Sequence, residues 1–235
     1  MPLHAARFGG QAMGSEKRPS AKLSENALTT LGDTMVFLGI EESDEGVSTL
    51  AMDNIIFCIN AFSGYIETQT GRKFGRRRYQ ERYEGTGGQK LILNHYPVKK
   101  IHSIKDLARG WDIGKSEYWM EDGGETGIIY RDGGWPKSGY PSGLANDLAM
   151  ARKSIAVSYT AGYILPKDGT EDAPSDLPYD LQHAVWAMVQ QQWGLMASGA
   201  GGLASFSISD VSWTFDKTAG IIVSDVVSRY RRWDC

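Results

Sequence analysis

The chain has 235 residues, of which 41% are hydrophobic and 23% are charged, and these proportions are ordinary for a globular protein that buries a core. Its formal net charge of −3 gives no overall attraction to nucleic acid. Two cysteines exclude a disulfide framework and fit a reducing cytoplasm, and no apolar run approaches the roughly 20 residues of a membrane span.

The N-terminal part is predicted to be a mobile arm followed by a pair of helices. Residues 1–25 lack the apolar core of a signal peptide, and they are either disordered or order on a partner. Thr30 and Asp33 have the spacing of a helix-capping box, and Gly39 is expected to end that helix. A longer helix is predicted to end at Gly71. The two helices form a unit over residues 26–76.

The longer helix is the most clearly marked element, because its apolar side chains recur every three or four residues. That stripe consists of Val47, Leu50, Ile55, Cys58, Phe62, Tyr65 and Ile66, with Asn54 among them.

Residues 77–165 are predicted to form a small antiparallel β insert, since short β-type runs alternate with glycine turns. The runs are Tyr79–Tyr83, Lys90–Asn94, Val98–Ile104, Glu117–Glu121, Gly127–Arg131 and Ser154–Thr160. The stretch Gly85–Lys90 superficially resembles a phosphate-binding loop. However, no Ser or Thr follows Lys90, and Pro97 prevents a helix from following. We therefore expect the glycines to turn a hairpin between the first two strands.

Residues 176–235 are predicted to return to helix. Pro178 suits the first turn of one helix, and an apolar side indicates a last helix from about Ala219 to Trp233. The expected fold class is α+β, a mainly α-helical core of about four helices. The small antiparallel insert lies between the second and third long helices.

The residues give no pattern for catalysis. The Gly-x-Ser-x-Gly motif is absent, the four histidines lack metal-binding spacing, and the acidic loop 166–175 fails the calcium pattern. We expect no enzyme activity, no metal and no cofactor. A rival hypothesis is a glycan-binding or glycan-hydrolysing β module, because Trp111, Trp119 and Trp135 lie in a turn-rich region near acidic residues.

Basic residues concentrate in two places. Five of them follow the long helix, namely Arg72, Lys73, Arg76, Arg77 and Arg78. They either complement the helix dipole or attract a polyanion such as DNA phosphate. The second group, Arg229, Arg231 and Arg232, flanks Tyr230 near Trp233, and such residues are enriched in interfaces.

The order of several short motifs resembles the head–tail connector proteins of tailed phages, the adaptor or head-completion family. The matching stretches are Ala27–Ile40, Ile66–Phe74, Tyr83–Val98, Gly127–Tyr130 with Gly134–Pro136, Ile155–Tyr163, Leu177–Leu181 and Tyr230–Arg232. The resemblance covers roughly residues 27 to 233. The N-terminal arm and the long Gly/Trp-rich stretch 111–146 depart from the pattern.

The resemblance implies a structural virion protein without catalysis. Copies would form a ring beneath the portal protein, of about twelve subunits to match the portal. That ring would extend the DNA channel, contact packaged DNA non-specifically, and support the stopper or tail-completion protein. Assembly would take place in the host cytoplasm, with no membrane involved. A stopper or tail-completion protein of the same neck is the alternative.

Two groups of residues are assigned roles on this basis. Arg76, Arg77 and Arg78 are expected to lie on or near the DNA channel. The C-terminal segment is expected to dock on the portal through Val226, Val227, Arg229, Tyr230, Arg231, Arg232 and Trp233. The competing interpretation of that last helix is that it covers the protein's own core.

Overall fold

The computed structural model describes residues 21–40, 49–138, 152–197 and 217–232. Within these ranges the helices are α1 (Leu31–Leu38), α2 (Thr49–Thr70), α3 (Tyr179–Ala197) and α4 (Lys217–Tyr230). The strands are β1 (Arg77–Tyr83), β2 (Lys90–Ile92), β3 (Val98–Asp106), β4 (Trp111–Ile113), β5 (Trp119–Met120), β6 (Ile128–Tyr130) and β7 (Ile155–Ala161).

The ends of the first two helices follow from their local sequence. The Thr30 side chain accepts a hydrogen bond from the Asp33 backbone N–H at 3.0 Å, so the predicted N-cap is confirmed. Gly39 and Gly71 follow α1 and α2 with φ of 69° and 65°. Side chains other than glycine rarely adopt this left-handed conformation, and glycine therefore ends both helices.

The four helices share one hydrophobic core. Its buried members on α2 include Ile55, Phe62 and Ile66, and they pack with Leu181 and Val185 of α3. By length and composition α2 could also cross a membrane, contrary to the expectation that no segment comes close. One side of α2, with Ile55, Phe62 and Ile66, is nevertheless buried against the other helices, whereas Leu50 and Phe57 are exposed.

The strands form two antiparallel sheets. One sheet has four strands in the order β1-β7-β3-β4, and the other has three in the order β2-β6-β5. Their inner faces share a second core, in which Tyr159, Ile104, Leu91, Ile129 and Trp135 are buried.

The expected fold class, a mainly α-helical protein with a small β insert, is wrong. About 42% of the described residues are helical and 21% lie in strands. The seven strands build two sheets with a core of their own. The predicted run Glu117–Glu121 contains β5, but β4 was missed, because a strand of three residues offers no periodicity to detect.

The predicted hairpin between the first two strands is also wrong. β1 pairs along its whole length with β7, and β2 pairs with β6, so the two neighbours in sequence belong to different sheets. The glycines between them let the chain pass from one sheet to the other.

Part of the predicted mobile arm is attached to α2. The Ala21 N–H donates to the Asp53 carboxylate, and the Ser24 N–H donates to the Asn60 side chain, both at 2.8 Å. Residues 1–20, which make up most of the predicted arm, lie outside the described residues.

Candidate functional site

Two of the three arginines predicted to face a DNA channel are bound to carboxylates of the same chain. Arg76 donates to Asp176 at 2.7 Å and to the Gly162 carbonyl at 3.3 Å. Arg77 lies 3.3 Å from Glu25, and both side chains are exposed. Intramolecular pairs of this kind reduce the charge that Arg76 and Arg77 present to a distant phosphate.

Arg78 has a different environment. Its guanidinium donates to the Ser158 hydroxyl at 3.3 Å through both Nε and Nη2. A hydroxyl carries no charge to neutralise the arginine, so Arg78 keeps its full positive field.

Arg72, from the same predicted basic cluster, is buried. Its guanidinium lies 3.8 Å from the ring centroid of Tyr96 and 6.0 Å from that of Tyr230, and it donates to the Tyr96 carbonyl at 2.5 Å. Burial lowers the pKa of Arg72, while the nearby Tyr96, Tyr163 and Tyr230 oppose that effect. Tyr163 and Tyr230 belong to the helical core, and Tyr96 lies in the segment between β2 and β3. Arg72 therefore joins the helical part to the β region.

The predicted C-terminal docking segment packs largely on its own chain. Val226 is buried in the helical core, and Val227 and Tyr230 are partly buried against it. The Tyr230 hydroxyl donates to Asp180 at 2.8 Å, and Arg229 pairs with Asp180 at 2.9 Å. These contacts are those expected if α4 covers the core.

The end of this segment is more accessible. Arg231 and Arg232 are exposed, although the Arg232 backbone N–H donates to the Thr70 carbonyl at 2.8 Å. Trp233, the last predicted docking residue, lies outside the described residues.

A buried polar network that the sequence analysis missed lies between the two sheets. The hydroxyls of Tyr83 and Tyr159 both donate to the same oxygen of the Glu81 carboxylate at 2.5 Å. The backbone N–H groups of Asn94 and His95 donate in turn to these hydroxyls. Each hydroxyl therefore both accepts and donates, which satisfies its hydrogen bonding.

This environment changes the protonation of the network. Burial alone would raise the pKa of Glu81, but hydrogen bonds from His95, Tyr159, Tyr83 and Asn94 outweigh it and lower the pKa to about 2. Burial, together with the hydrogen bond to Glu81, raises the pKa of both tyrosines. The carboxylate is therefore charged and the phenols are neutral at pH 7, an arrangement suited to holding strands together.

The glycine stretch that resembles a phosphate loop binds backbone of the same chain. A Cβ added to Gly85 would lie 1.7 Å from the Pro136 carbonyl oxygen, so only glycine fits there. The Ser138 N–H donates to the Gly85 carbonyl at 2.6 Å, and the Trp135 N–H donates to the Gly88 carbonyl at 2.8 Å. The backbone of residues 135–138 therefore packs against these glycines, in the space that an anion would need.

The tryptophans proposed for a sugar site do not share one surface. Trp135 is buried in the sheet core, and its indole N–H donates to the Gln89 carbonyl at 2.9 Å. Trp119 is half exposed and stacks on Tyr130, with the ring centroids 4.4 Å apart, whereas Trp111 lies on another strand.

Groups that could bind a metal are likewise dispersed. His102 contacts Thr160, whereas His95 stacks on Tyr79 with the ring centroids 3.8 Å apart. Within the described ranges no three His, Cys, Asp or Glu side chains are grouped as metal ligands.

Comparison with known proteins identifies similar structures only. No protein-family model matches the chain, and no curated protein sequence matches it. A chain in the neck of the native gene transfer agent (GTA) particle, computed with C12 symmetry, shares its fold with 15% identity and a TM-score of 0.50. That match covers 92% of this chain and 96% of the other.

Two further matches have the same coverage, 92% of this chain and 96% of the other. The neck of the empty GTA particle, computed with C6 symmetry, has 14% identity and a TM-score of 0.49. The virion of the native gene transfer agent particle has 16% identity and a TM-score of 0.49.

At such low identity the likeness establishes the fold and not the function. The arrangement of helices and sheets described above is therefore one that a GTA neck also contains. The roles of individual side chains have to be argued from their surroundings.

Proposed function

We propose that the chain is a structural protein of the neck of a phage-like particle. Its role is that of a head–tail adaptor, which forms a ring beneath the portal, extends the DNA channel and supports the tail or stopper protein. The observation that carries this proposal is the fold shared with a chain of the native GTA neck over 92% of the length. The order of the connector-like motifs along the sequence supports the same assignment.

The proposed assembly is a ring of copies joined head to tail. The similar neck was computed with C12 symmetry, and a head-to-tail contact closes into a ring when its rotation permits. Such a contact needs two different surfaces on each copy. Large apolar side chains are exposed in both parts of the molecule, with Val36 and Phe57 on helices and Trp119 on the smaller sheet. Burial of such side chains favours association.

Portal docking is proposed for the accessible end of the C-terminal segment. Val226 is buried and Arg229 pairs with Asp180 and Asp225, so the proposal rests on the exposed Arg231. In this proposal Arg231 pairs with portal carboxylates, and Trp233 keeps the docking role predicted from the sequence. The neck location, host-cytoplasmic assembly and absence of catalysis belong to the same proposal.

Reconstitution with portal-bearing heads tests this function. The full chain is mixed with heads, and the neck is imaged in projection. Twelve copies of 25.9 kDa should add a ring of about 311 kDa at the portal vertex. Isolation of a two-fold dimer as the sole form, even with portal present, would contradict the proposal.

A charge reversal tests the docking residues. Arg231→Glu should weaken attachment to heads, because Arg231 is exposed and its loss leaves the helical core intact. Lys22→Glu is the matched control, since Lys22 is exposed elsewhere. Equal attachment of the two variants would exclude Arg231 from the docking surface. Attachment that needs another neck ring first would favour a stopper or tail-completion protein instead.

A further inference from the structure

The outer face of the four-stranded sheet collects cations that are far apart in the sequence. Along β1 the side chains alternate, with Tyr79 and Tyr83 packed in the sheet core while Arg78 and Arg82 are exposed. Because side chains of a strand point alternately to its two faces, Arg78 and Arg82 lie on the side opposite the core.

The strand register extends this face across β7 to β3. Two cross-strand rows result, Arg78–Thr160–Lys100 and Arg82–Ala156–Lys105. With strands about 4.8 Å apart, each row separates its two cations by about 10 Å at the backbone, and the rows are about 13 Å apart. Neighbouring cations are therefore at about the Debye length at 0.1 M salt, which is about 10 Å, and their fields add.

The charge of this face is opposite to that of the whole chain. Four strand cations and one strand carboxylate, Asp112, leave a formal charge of +3, whereas the chain carries −3. Asp112 lies 3.2 Å from Lys105. Within the described residues neither Arg82 nor Lys100 has an ion pair. The adjacent Glu81 carboxylate is bound by Tyr83 and Tyr159, and Glu84 lies just beyond β1.

Small hydroxyl groups occupy the space between the cations. Ser158 accepts from Arg78 at 3.3 Å, and Thr160 lies 2.8 Å from His102 Nε2. Burial, followed by the positive charges of Arg78, Lys100 and Lys115, lowers the pKa of His102. Arginine, lysine, serine and threonine side chains are those that commonly contact phosphate oxygens.

We propose that this basic sheet face, defined by Arg78, Arg82, Lys100 and Lys105, binds the phosphate backbone of duplex DNA without reading its bases. The face carries no Phe, Tyr or Trp on which an unpaired base could stack, which favours a duplex over a single strand. The choice of DNA among polyanions rests on the proposed function, since a neck conducts DNA. Of the three arginines predicted from the sequence to face the DNA channel, the proposal retains Arg78. Arg82, Lys100 and Lys105 take the place of Arg76 and Arg77.

Salt-dependent binding tests the proposal. Fluorescence anisotropy of a mixed-sequence duplex of about 30 base pairs is measured with the full chain between 50 and 200 mM salt. Four phosphate contacts predict a slope of about −3.6 in log K against log salt, or about a 150-fold loss of affinity over this range. The double variant Arg82→Gln/Lys100→Gln should halve this slope, so that its affinity falls only about 12-fold between 50 and 200 mM salt.

A matched variant controls for net charge. Lys22→Gln/Lys137→Gln removes the same charge from exposed positions elsewhere and should retain the full slope. An unchanged slope in the Arg82→Gln/Lys100→Gln variant, or equal losses in both variants, overturns the proposal. Thermal unfolding at 150 mM salt verifies that both variants fold.

A protein partner is the other outcome that the experiment separates. In this outcome the chain binds no duplex but self-associates in sedimentation at 50 mM salt, while the Arg82→Gln/Lys100→Gln variant does not. The basic sheet face then binds an acidic surface of another copy of the chain, and the DNA proposal is overturned. Ring formation on heads is scored independently. A chain that binds DNA through this face but forms no ring refutes the proposed function alone.

Discussion

Replacing Glu81 with glutamine removes a charge from the tyrosine network and hardly changes its shape. The carboxylate accepts both tyrosine hydroxyls at 2.5 Å, and its other oxygen lies 3.5 Å from His95 Nε2. Glutamine occupies the same volume, so the variant isolates the contribution of the negative charge. We expect Glu81→Gln to fold and to be less stable at neutral pH.

The size of this effect follows from the pKa of Glu81. A fall from the ordinary 4.5 to about 2 corresponds to about 3 kcal/mol, at 1.36 kcal/mol for each tenfold change in proton affinity. The Glu81 side chain is 24% exposed, and solvent screening reduces the expected loss to about 2 kcal/mol. Since the folded pKa is depressed, this stabilisation is present above pH 4.5 and disappears as pH falls through about 2.

Denaturant unfolding of wild type and Glu81→Gln at pH 6 and pH 3 measures both quantities. The difference in the free energy of unfolding should be about 2 kcal/mol at pH 6 and less than half of that at pH 3. Glu84→Gln, an exposed neighbour, should change stability by less than about 0.5 kcal/mol. A Glu81→Gln loss that is the same at both pH values would refute the reasoning, because it could not come from the charge.

Three further perturbations test other parts of the fold. Gly85→Ala should lower the free energy of unfolding by more than about 3 kcal/mol, because its Cβ would lie 1.7 Å from the Pro136 carbonyl oxygen. Gly133→Ala is the matched control: its Cβ would have no neighbour within 4 Å, and its stability should be nearly unchanged. Arg72→Met should cost about 1–3 kcal/mol by leaving the partly buried Tyr96 carbonyl without its hydrogen-bond donor. Unchanged thermal unfolding would contradict this. Burial raises the pKa of Cys58 to about 11, so alkylation of its thiol at pH 8, followed by peptide mass spectrometry, should be at least about a hundredfold slower in the folded protein than in urea.

The helices could be predicted from sequence because their signals are local. The Thr30 N-cap and the left-handed Gly39 and Gly71 lie directly next to the helix ends that they define, so neighbouring residues are enough to identify them. The sheets could not be assigned in this way, since β1 pairs with β7, about 80 residues later. Alternation identifies a strand but not its partner, and the neighbouring strands at the glycine stretch were therefore paired incorrectly.

The same limit applies to the charged groups. Arg76, Arg77 and Arg78 are adjacent in sequence, but their partners lie between about 50 and 100 residues away. One local signal was available for the missed network. Glu81 stands between Tyr79 and Tyr83 at a spacing of two, which places a carboxylate on the aromatic inner face of the strand.

The close backbone contacts of certain glycines have a consequence for finding relatives of this chain. Gly85 and three other glycines have a carbonyl oxygen within 3 Å of where a Cβ would be; the others are Gly124, Gly134 and Gly162. Most side chains on strands and helices can change without altering the fold, but a methyl group at these four positions would displace main chain. Distant homologues should therefore keep glycine at these four positions while most other residues change. A sequence search weighted on the spacing of these glycines would recognise the fold at identities too low for an ordinary sequence comparison.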